Sequence, residues 1–323
     1  MKLKRFFTLA LALCMIAGLL AGCGDKSNDL GTTDEKDTLN VALTEEPDYL
    51  STCDTDSLMC AQMNLLTYNG LTRIDMKTLQ PELDLAESYS QDSDTEWTFV
   101  LKQGVTFHNG DTLTAEDVKA SIEYAKSYDR TSTYTSAISE VQVVDDNTVK
   151  IITSVPAPNL LFDLGYHFNC ILPHSLIESG NDFNANPVGT GPYKLESWDA
   201  GQSIVLVKNE DYYLGAPKID RIIFKIVTDD NAQALQLKSG EIDLALLDPK
   251  NAKDFTDKEG YTCYDMTTAD YRGILFNFWN DYWTENRDLI PAICYGIDRQ
   301  AIIDSVLLGQ GMAAYSPLQR NAF

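Results

Sequence analysis

The spacing of hydrophobic and polar positions along the chain predicts several β-hairpins. Over residues 96–102, Trp97, Phe99 and Leu101 alternate with more polar residues, which predicts a strand with one buried face. Short polar groups at 145–147 and 199–202 each separate two β-rich runs, and each predicts the turn of a hairpin. Further strands are predicted over residues 38–43, 218–227, 242–247 and 271–278.

Other segments carry the spacing of helices. Thr114 and Asp117 form a capping-box pair, and Val118, Ile122 and Ala125 continue from it at helical spacing. Helices are also predicted over 58–66, over 229–238 with Gly240 as the stop, and over 289–308 with a break at 296–298. If Asp288 caps the last of these, Pro291 falls in the first turn, where it is tolerated. Hairpins combined with single helices predict an α/β protein.

The N-terminus has the pattern of an export signal. Lys2, Lys4 and Arg5 precede residues 6–20, which are apolar except for Thr8. A basic start, an apolar run and a small-residue junction are typical of a signal peptide, predicted here over residues 1–22. The apolar run is too short to favour a permanent transmembrane helix.

The junction Leu20-Ala21-Gly22-Cys23 resembles the lipobox of bacterial lipoproteins. That resemblance implies a lipidated Cys23 at the new N-terminus, and therefore an extracytoplasmic protein anchored to the cell membrane. An ordinary signal peptide with an incidental cysteine is the alternative. Residues 23–37 are then the lipidated N-terminus and a flexible, polar tether.

Charge narrows the choice of partners. The 323 residues carry a net charge of −23. Residues 1–22 contain three basic and no acidic side chains, so the mature chain would have 22 basic and 48 acidic ones, a net charge of −26. Such a surface repels nucleic acid and anionic lipid headgroups, and no nucleic-acid partner is predicted.

No pattern of catalytic or metal-binding residues stands out. After removal of residues 1–22, and apart from Cys23, five cysteines remain without CxxC spacing, which argues against a disulfide framework and a zinc site. Cys53 and Cys60 could pair, although buried thiols are favoured. His108, His167 and His174 lack metal-ligand spacing and are predicted to be structural. No Ser/His/Asp or Cys/His signature is present, so no catalytic residue, metal or cofactor is predicted.

Two local motifs suggest chemistry at first sight. The glycine-rich segment 189–193, GTGPY, lacks the Lys-Ser/Thr ending of a phosphate-binding loop and precedes a β-rich run, so a structural turn is predicted. Glu45 and Glu46 are adjacent, and adjacent side chains of an extended segment point to opposite sides. This is poor geometry for a paired-carboxylate hydrolase.

The order of several segments gives the chain its strongest resemblance. These segments are EEPDYL (45–50), YNGL (68–71), PELDLAES (81–88), WTF (97–99), LKQGVTFHNGDTLTAEDV (101–118), GTGPY (189–193), LQLKSGEID (235–243) and YGIDR (295–299). In this order they resemble family 5 of the extracytoplasmic solute-binding proteins, which serve ABC importers of peptides, oligopeptides and nickel.

The resemblance implies an α/β, two-lobe periplasmic-binding-protein-like fold with an extra inserted subdomain. The near lobe would comprise residues 38–80 and 186–268, within which residues 38–73 and 191–247 are expected to share one sheet. The inserted subdomain would be 81–185, and 269–323 would begin a far lobe that is incomplete. A fragment or a truncated gene product is therefore expected, with ligand binding that is weak or absent and a tendency to aggregate, because the apolar face of residues 289–308 would be uncovered.

The resemblance also implies a site and partners. The loop after the first strand would face the inter-lobe cleft, and the crossing to the far lobe would line it or serve the hinge. The expected ligand-binding residues are Glu45, Glu46, Tyr49, Tyr271, Arg272, Asn277 and Trp279. An exposed acidic loop is the alternative for the two glutamates, and Arg272 could bind a substrate carboxylate through two hydrogen bonds. Phe276 and Phe278 are expected in the core.

The implied function is capture of di- or oligopeptides and their delivery to a membrane permease and ATPase complex. The same scaffold binding a nickel complex or an oligosaccharide is one alternative. A secreted hydrolase or a non-transport envelope protein is another.

Overall fold

A computed structural model describes residues 37–53, 57–265, 272–314 and 316. The predicted signal peptide, Cys23 and the tether up to residue 36 lie outside the described residues, and so does Tyr271. In the described part of the chain, no helix combines the length and the apolar character needed to cross a membrane.

The described residues form short strands and helices. The strands are β1 (Thr38–Leu43), β2 (Thr72–Ile74), β3 (Pro81–Leu83), β4 (Ala86–Ser93), β5 (Glu96–Leu101), β6 (Ile138–Asp145), β7 (Thr148–Thr153), β8 (Tyr193–Asp199), β9 (Ser203–Lys208) and β10 (Arg221–Ile226). The helices are α1 (Leu58–Thr67), α2 (Ala115–Lys126), α3 (Ser132–Thr135), α4 (Leu160–Asp163), α5 (His174–Glu178), α6 (Asp230–Ser239), α7 (Pro249–Ala252), α8 (Asp281–Glu285), α9 (Leu289–Gly296) and α10 (Arg299–Ser305). A 3₁₀ turn spans His167–Asn169.

The first sheet joins the start of the chain to its middle. Its strand order is β1-β10-β9-β8, with β1 parallel to β10 and the other pairs antiparallel. Alternate residues of these strands, including Ile204, Leu206 and Phe224, are buried against Met59 and Met63 of α1. Residues 38–73 and 191–247 thus both contribute to one sheet, as expected. The boundaries of the lobes and the inserted subdomain stay a prediction.

The second sheet lies within residues 86–153 and is entirely antiparallel, in the order β4-β5-β7-β6. Trp97, Phe99 and Leu101 are buried on one face, which confirms the predicted alternation. Helix α2 packs on this face, and its capping box is present, with Asp117 Oδ2 accepting from Thr114 N at 2.7 Å. A two-stranded ribbon of β2 and β3 adjoins these elements.

Most of the predicted local elements are confirmed. Two-residue and three-residue turns join β6 to β7 and β8 to β9, where hairpins were predicted. Helix α6 begins after Asp229, whose side chain accepts from Ala232 N, and ends at Gly240 in the left-handed conformation, φ 77°. The long predicted C-terminal helix is broken into α9 and α10, and Asp298 caps the second.

Two predicted strands are wrong within the described residues. Residues 242–247 form only one bridge, Val41 to Leu244, and the Asp243 side chain, not a strand carbonyl, accepts from the backbone nitrogen of Asn40 at 2.8 Å. Residues 272–278 have no regular structure. Their apolar residues lack a sheet to join, and Leu275 is 94% exposed.

Candidate functional site

The loop after β1 lies at the carboxyl edge of the first sheet. Strands β1 and β10 run parallel and end side by side at Leu43 and Ile226. The turn between β8 and β9 lies at the same edge, because Ser203 pairs with Lys225 near the end of β10. Carboxyl ends of parallel strands are where α/β proteins most often bind ligands. Residues 44–50, here called the strap, cross this edge.

One side of the strap is held by Glu46. Its Oε1 accepts from the indole Nε1 of Trp198 at 2.7 Å, and both carboxylate oxygens lie 3.0 Å from the amide nitrogen of Gly201. Trp198 belongs to β8 and Gly201 to the turn that follows it. Glu46 therefore ties the strap to the β8–β9 hairpin.

The other side of the strap is held by a buried side chain and an amide. Leu50 is 3% exposed and packs in the same core cluster as Met59 and Met63. Asn184 Oδ1 accepts from Leu50 N at 2.6 Å and from Ser51 N at 3.3 Å. The strap is thus fixed at both ends.

The outer residues of the strap face solvent. Glu45 and Asp48 are exposed, and Tyr49 is 42% exposed. Glu45 and Glu46 differ in exposure and partners, in agreement with the expected opposite directions of adjacent side chains. The sequence did not single out Asp48, or Trp198 and Asn184, which bond to the strap.

The second predicted set lies in residues 272–279. Arg272 and Asn277 are exposed, and Trp279 is 98% exposed. Asn277 Oδ1 accepts from Trp279 N at 3.1 Å, so these two residues share a turn. Phe278 is 47% exposed with Arg287 over its ring at 5.0 Å, which makes the expected core position wrong for this residue.

The GTGPY segment is built into the fold as a turn. Gly191 N donates to Thr67 O at 2.9 Å at the end of α1. His108 Nε2 donates to Gly191 O at 3.0 Å, and His108 Nδ1 accepts from Gly189 N at 3.3 Å. Burial lowers the pKa of His108 to about 4, so the ring is neutral and bridges two loops.

The other predicted structural histidines also have internal contacts. His174 Nδ1 lies 2.7 Å from Asp117 Oδ1, and this hydrogen bond raises the pKa of His174. The ring of His167 lies 3.9 Å from that of Phe168. Among residues 37–53, 57–265, 272–314 and 316, no group of three or more His, Cys, Asp or Glu side chains could hold a metal ion.

Two of the cysteines lie just behind the strap. Cys53 and Cys60 are buried, and the Cys60 thiol donates to Ser51 O at 3.5 Å. Cys170 is also buried, and burial raises the pKa of its thiol. A raised pKa keeps a thiol protonated and unreactive.

Known proteins are similar to this chain over most of its length. Oligopeptide-binding protein AppA of Bacillus subtilis is 30% identical over 98% of this chain and 60% of its own length. The crystal structure of NikZ from Campylobacter jejuni in complex with Ni(L-His) matches 88% of this chain and 58% of that one, with 30% identity and a TM-score of 0.79. The structure of AppA with a nonapeptide matches the same shares with 27% identity and a TM-score of 0.75.

These matches define the fold and the family. The chain has the mixed α/β fold of this class of periplasmic binding proteins, and it spans about 60% of the length of the relatives it matches. The family description "bacterial extracellular solute-binding proteins, family 5 Middle" matches residues 80–323. Because that match covers well over half of the chain, the chain belongs to family 5 of the bacterial extracellular solute-binding proteins.

Proposed function

We propose that this chain captures peptides outside the cytoplasm and delivers them to the permease and ATPase of an ABC importer. The observation that carries this proposal is the similarity to the oligopeptide-binding protein AppA over 98% of the chain. The AppA structure that the fold matches contains a nonapeptide.

The strap supplies the first half of the proposed site. Glu45 and Tyr49 offer a carboxylate and a phenol ring at the carboxyl edge of the first sheet, and the Glu46 carboxylate is bonded to Trp198. The segment with Tyr271, Arg272, Asn277 and Trp279 supplies the second half. A carboxylate next to an aromatic ring suits the ammonium group of a peptide, and a guanidinium suits its carboxylate.

The proposed mechanism is capture without bond chemistry. Two lobes close over the solute by a hinge, and the closed form is the one that the permease recognises. Ligand affinity then depends on how much more tightly the solute binds the closed form than the open one.

A nickel complex is the second candidate solute. The fold matches the Ni(L-His) complex of NikZ with a TM-score of 0.79, slightly above the 0.75 of the nonapeptide complex. A nickel–histidine complex presents carboxylate oxygens and the N–H groups of its coordinated amine and imidazole, so the carboxylate and guanidinium proposed for a peptide also suit the organic part of such a complex.

Uptake by cells separates the two candidates. A bacterium that carries the gene is compared with its deletion strain for uptake of a radiolabelled tripeptide pool and of ⁶³Ni with histidine. Loss of peptide uptake alone is the expected result. Loss of nickel uptake alone would replace the peptide proposal with the second candidate, and unchanged uptake of both would contradict transport by this protein.

The proposed anchor is the lipid on Cys23. Cys23→Ser removes the thiol that would carry the acyl chains, so we expect the protein to move from the membrane fraction to the soluble extracytoplasmic fraction. Immunoblots of fractionated cells measure this, with Cys263→Ser as the matched control. Equal membrane retention of both variants would contradict the anchor.

A further inference from the structure

The strap is unusual in having two long-range anchors and exposed residues between them. Glu46 bonds to Trp198 and Gly201, 152 and 155 residues further along the chain. Asn184 bonds to the amides of Leu50 and Ser51, about 134 residues before it. Glu45, Asp48 and Tyr49, all exposed, lie beside or between these anchors.

The Glu46 anchor uses the whole carboxylate. One oxygen accepts from Trp198 Nε1, and both accept from Gly201 N, with distances of 2.7 to 3.0 Å. Hydrogen bonds to an ionised acceptor are stronger than those between neutral groups. A carboxylate engaged in this way is poorly placed to bind a solute, and its contribution is to fix the backbone that carries its neighbours.

The Asn184 anchor is itself held in place. The backbone N–H of Asn184 donates to Asp182 Oδ1 at 2.9 Å, so the residue belongs to an ordered turn. Its side-chain oxygen then satisfies two backbone amides of the strap as Leu50 enters the core. Without this oxygen the Leu50 and Ser51 amides would lose their acceptor.

We propose that Glu46 and Asn184 are positioning residues that preorganise the strap, so that Glu45, Asp48 and Tyr49 meet the solute without a cost in loop ordering. The proposal rests on the proposed function, since it assigns Glu46 to the support of the solute site rather than to contact with solute. A loop that is already ordered binds more tightly because the ordering entropy is not lost on binding.

Hydrogen exchange of the solute-free 323-residue chain tests whether Glu46 and Asn184 order the strap. The reporters are the Gly201 amide and the Trp198 indole N–H for Glu46, and the Leu50 amide for Asn184. We expect Glu46→Ala to speed exchange at its two reporters by about tenfold or more, as loss of a charged acceptor predicts. Asn184→Ala should do the same at Leu50. Amides of β5 and β7, in the second sheet, should keep wild-type rates in both variants.

Affinity measurements test whether an ordered strap binds solute more tightly. Calorimetry with a random nonapeptide pool, on a protein that continues through a complete far lobe, should show weaker binding for Glu46→Ala than for wild type, with partial rescue by Glu46→Gln, which keeps one oxygen for the indole. Glu45→Ala is the matched control: it should weaken binding while leaving exchange at the three reporters unchanged.

The outcomes separate the two proposals. Unchanged reporter exchange, equally faster exchange in β5 and β7, or a loosened strap with wild-type affinity would each overturn the positioning role. If Glu46→Ala does not fold, Trp198→Phe is used instead, because it removes the indole donor and leaves Glu46 in place. Faster exchange of the Gly201 amide with wild-type rates in β5 and β7 would then support the positioning role, and an unchanged Gly201 rate would overturn it. A wild-type protein with a complete far lobe that binds no peptide would count against the proposed function, whereas the exchange comparison needs no solute.

Discussion

Gly191→Ala is expected to lower the free energy of unfolding strongly. A Cβ at this position would lie 2.5 Å from Leu66 O and 2.6 Å from Thr67 O, both backbone atoms of α1 that cannot rotate away. The residue also anchors its surroundings, since its carbonyl accepts from His108 Nε2 and from Asn209 Nδ2 at 3.1 Å. Overpacking typically costs about 1–3 kcal/mol and occasionally more, and a contact with rigid backbone favours the upper end, against a total stability of about 5–15 kcal/mol for a typical domain.

Urea unfolding followed by circular dichroism measures the effect. Gly296→Ala is the matched control, because a Cβ at Gly296 has nothing within 4 Å. Alanine also favours the helix that ends there, so the control should change the free energy of unfolding by less than about 1 kcal/mol. A Gly191→Ala protein with the same unfolding midpoint as Gly296→Ala would show that the turn at 189–193 is not packed against α1 as described.

Features fixed by neighbours in the sequence were predictable. The capping box of α2 depends on Thr114 and Asp117, three residues apart, and the stop of α6 depends on one glycine. The buried face of β5 follows from strict alternation of Trp97, Phe99 and Leu101. In each case the residues that determine the element lie within a few positions of it, so a local pattern is sufficient.

Features fixed by distant partners were not predictable from such patterns. Residues 242–247 are apolar enough for a strand, but the Asp243 side chain takes the Asn40 amide, 203 residues away, and only one bridge forms. The role of Glu46 depends on Trp198, 152 residues further on. The sequence indicated that the loop was important, through its resemblance to a family, but periodicity carries no information on which carboxylate is anchored and which is exposed.

The segment 272–314 shows a second limit of prediction from local sequence patterns. Helices α9 and α10 were predicted and α8 was not, and α9 and α10 have only eight and seven residues. Isolated helices shorter than about 12–15 residues are marginal in water, and most helices are stabilised by packing. Ile303 is the only residue described as buried in α8, α9 and α10. Leu275, Trp279 and Tyr295 are each more than 90% exposed.

We therefore expect residues 272–314 of the 323-residue chain to open far more readily than the two sheets. The test is timed trypsin digestion followed by mass spectrometry. Cuts after Arg272, Arg287 and Arg299 should appear orders of magnitude earlier than cuts after Lys119 and Lys150. The reason is that a protease reaches a site through local opening, and the sheets open only with global unfolding. Lys119 is the matched control, since its side chain is 36% exposed but belongs to the well-packed helix α2.

The same exposed residues should cause self-association. Several large apolar side chains in contact with water each forgo about 1.5–3 kcal/mol of burial, so they favour contact between copies of the chain. Leu275→Ser combined with Trp279→Ser should lower both the binding of a hydrophobic dye and the apparent mass in light scattering, whereas Leu235→Ser, which changes a 65% exposed leucine of α6, should alter neither. Equal dye binding by the double variant and by Leu235→Ser would contradict this prediction. Likewise, cleavage at the same rate at all five trypsin sites would show that residues 272–314 are as firmly packed as the sheets.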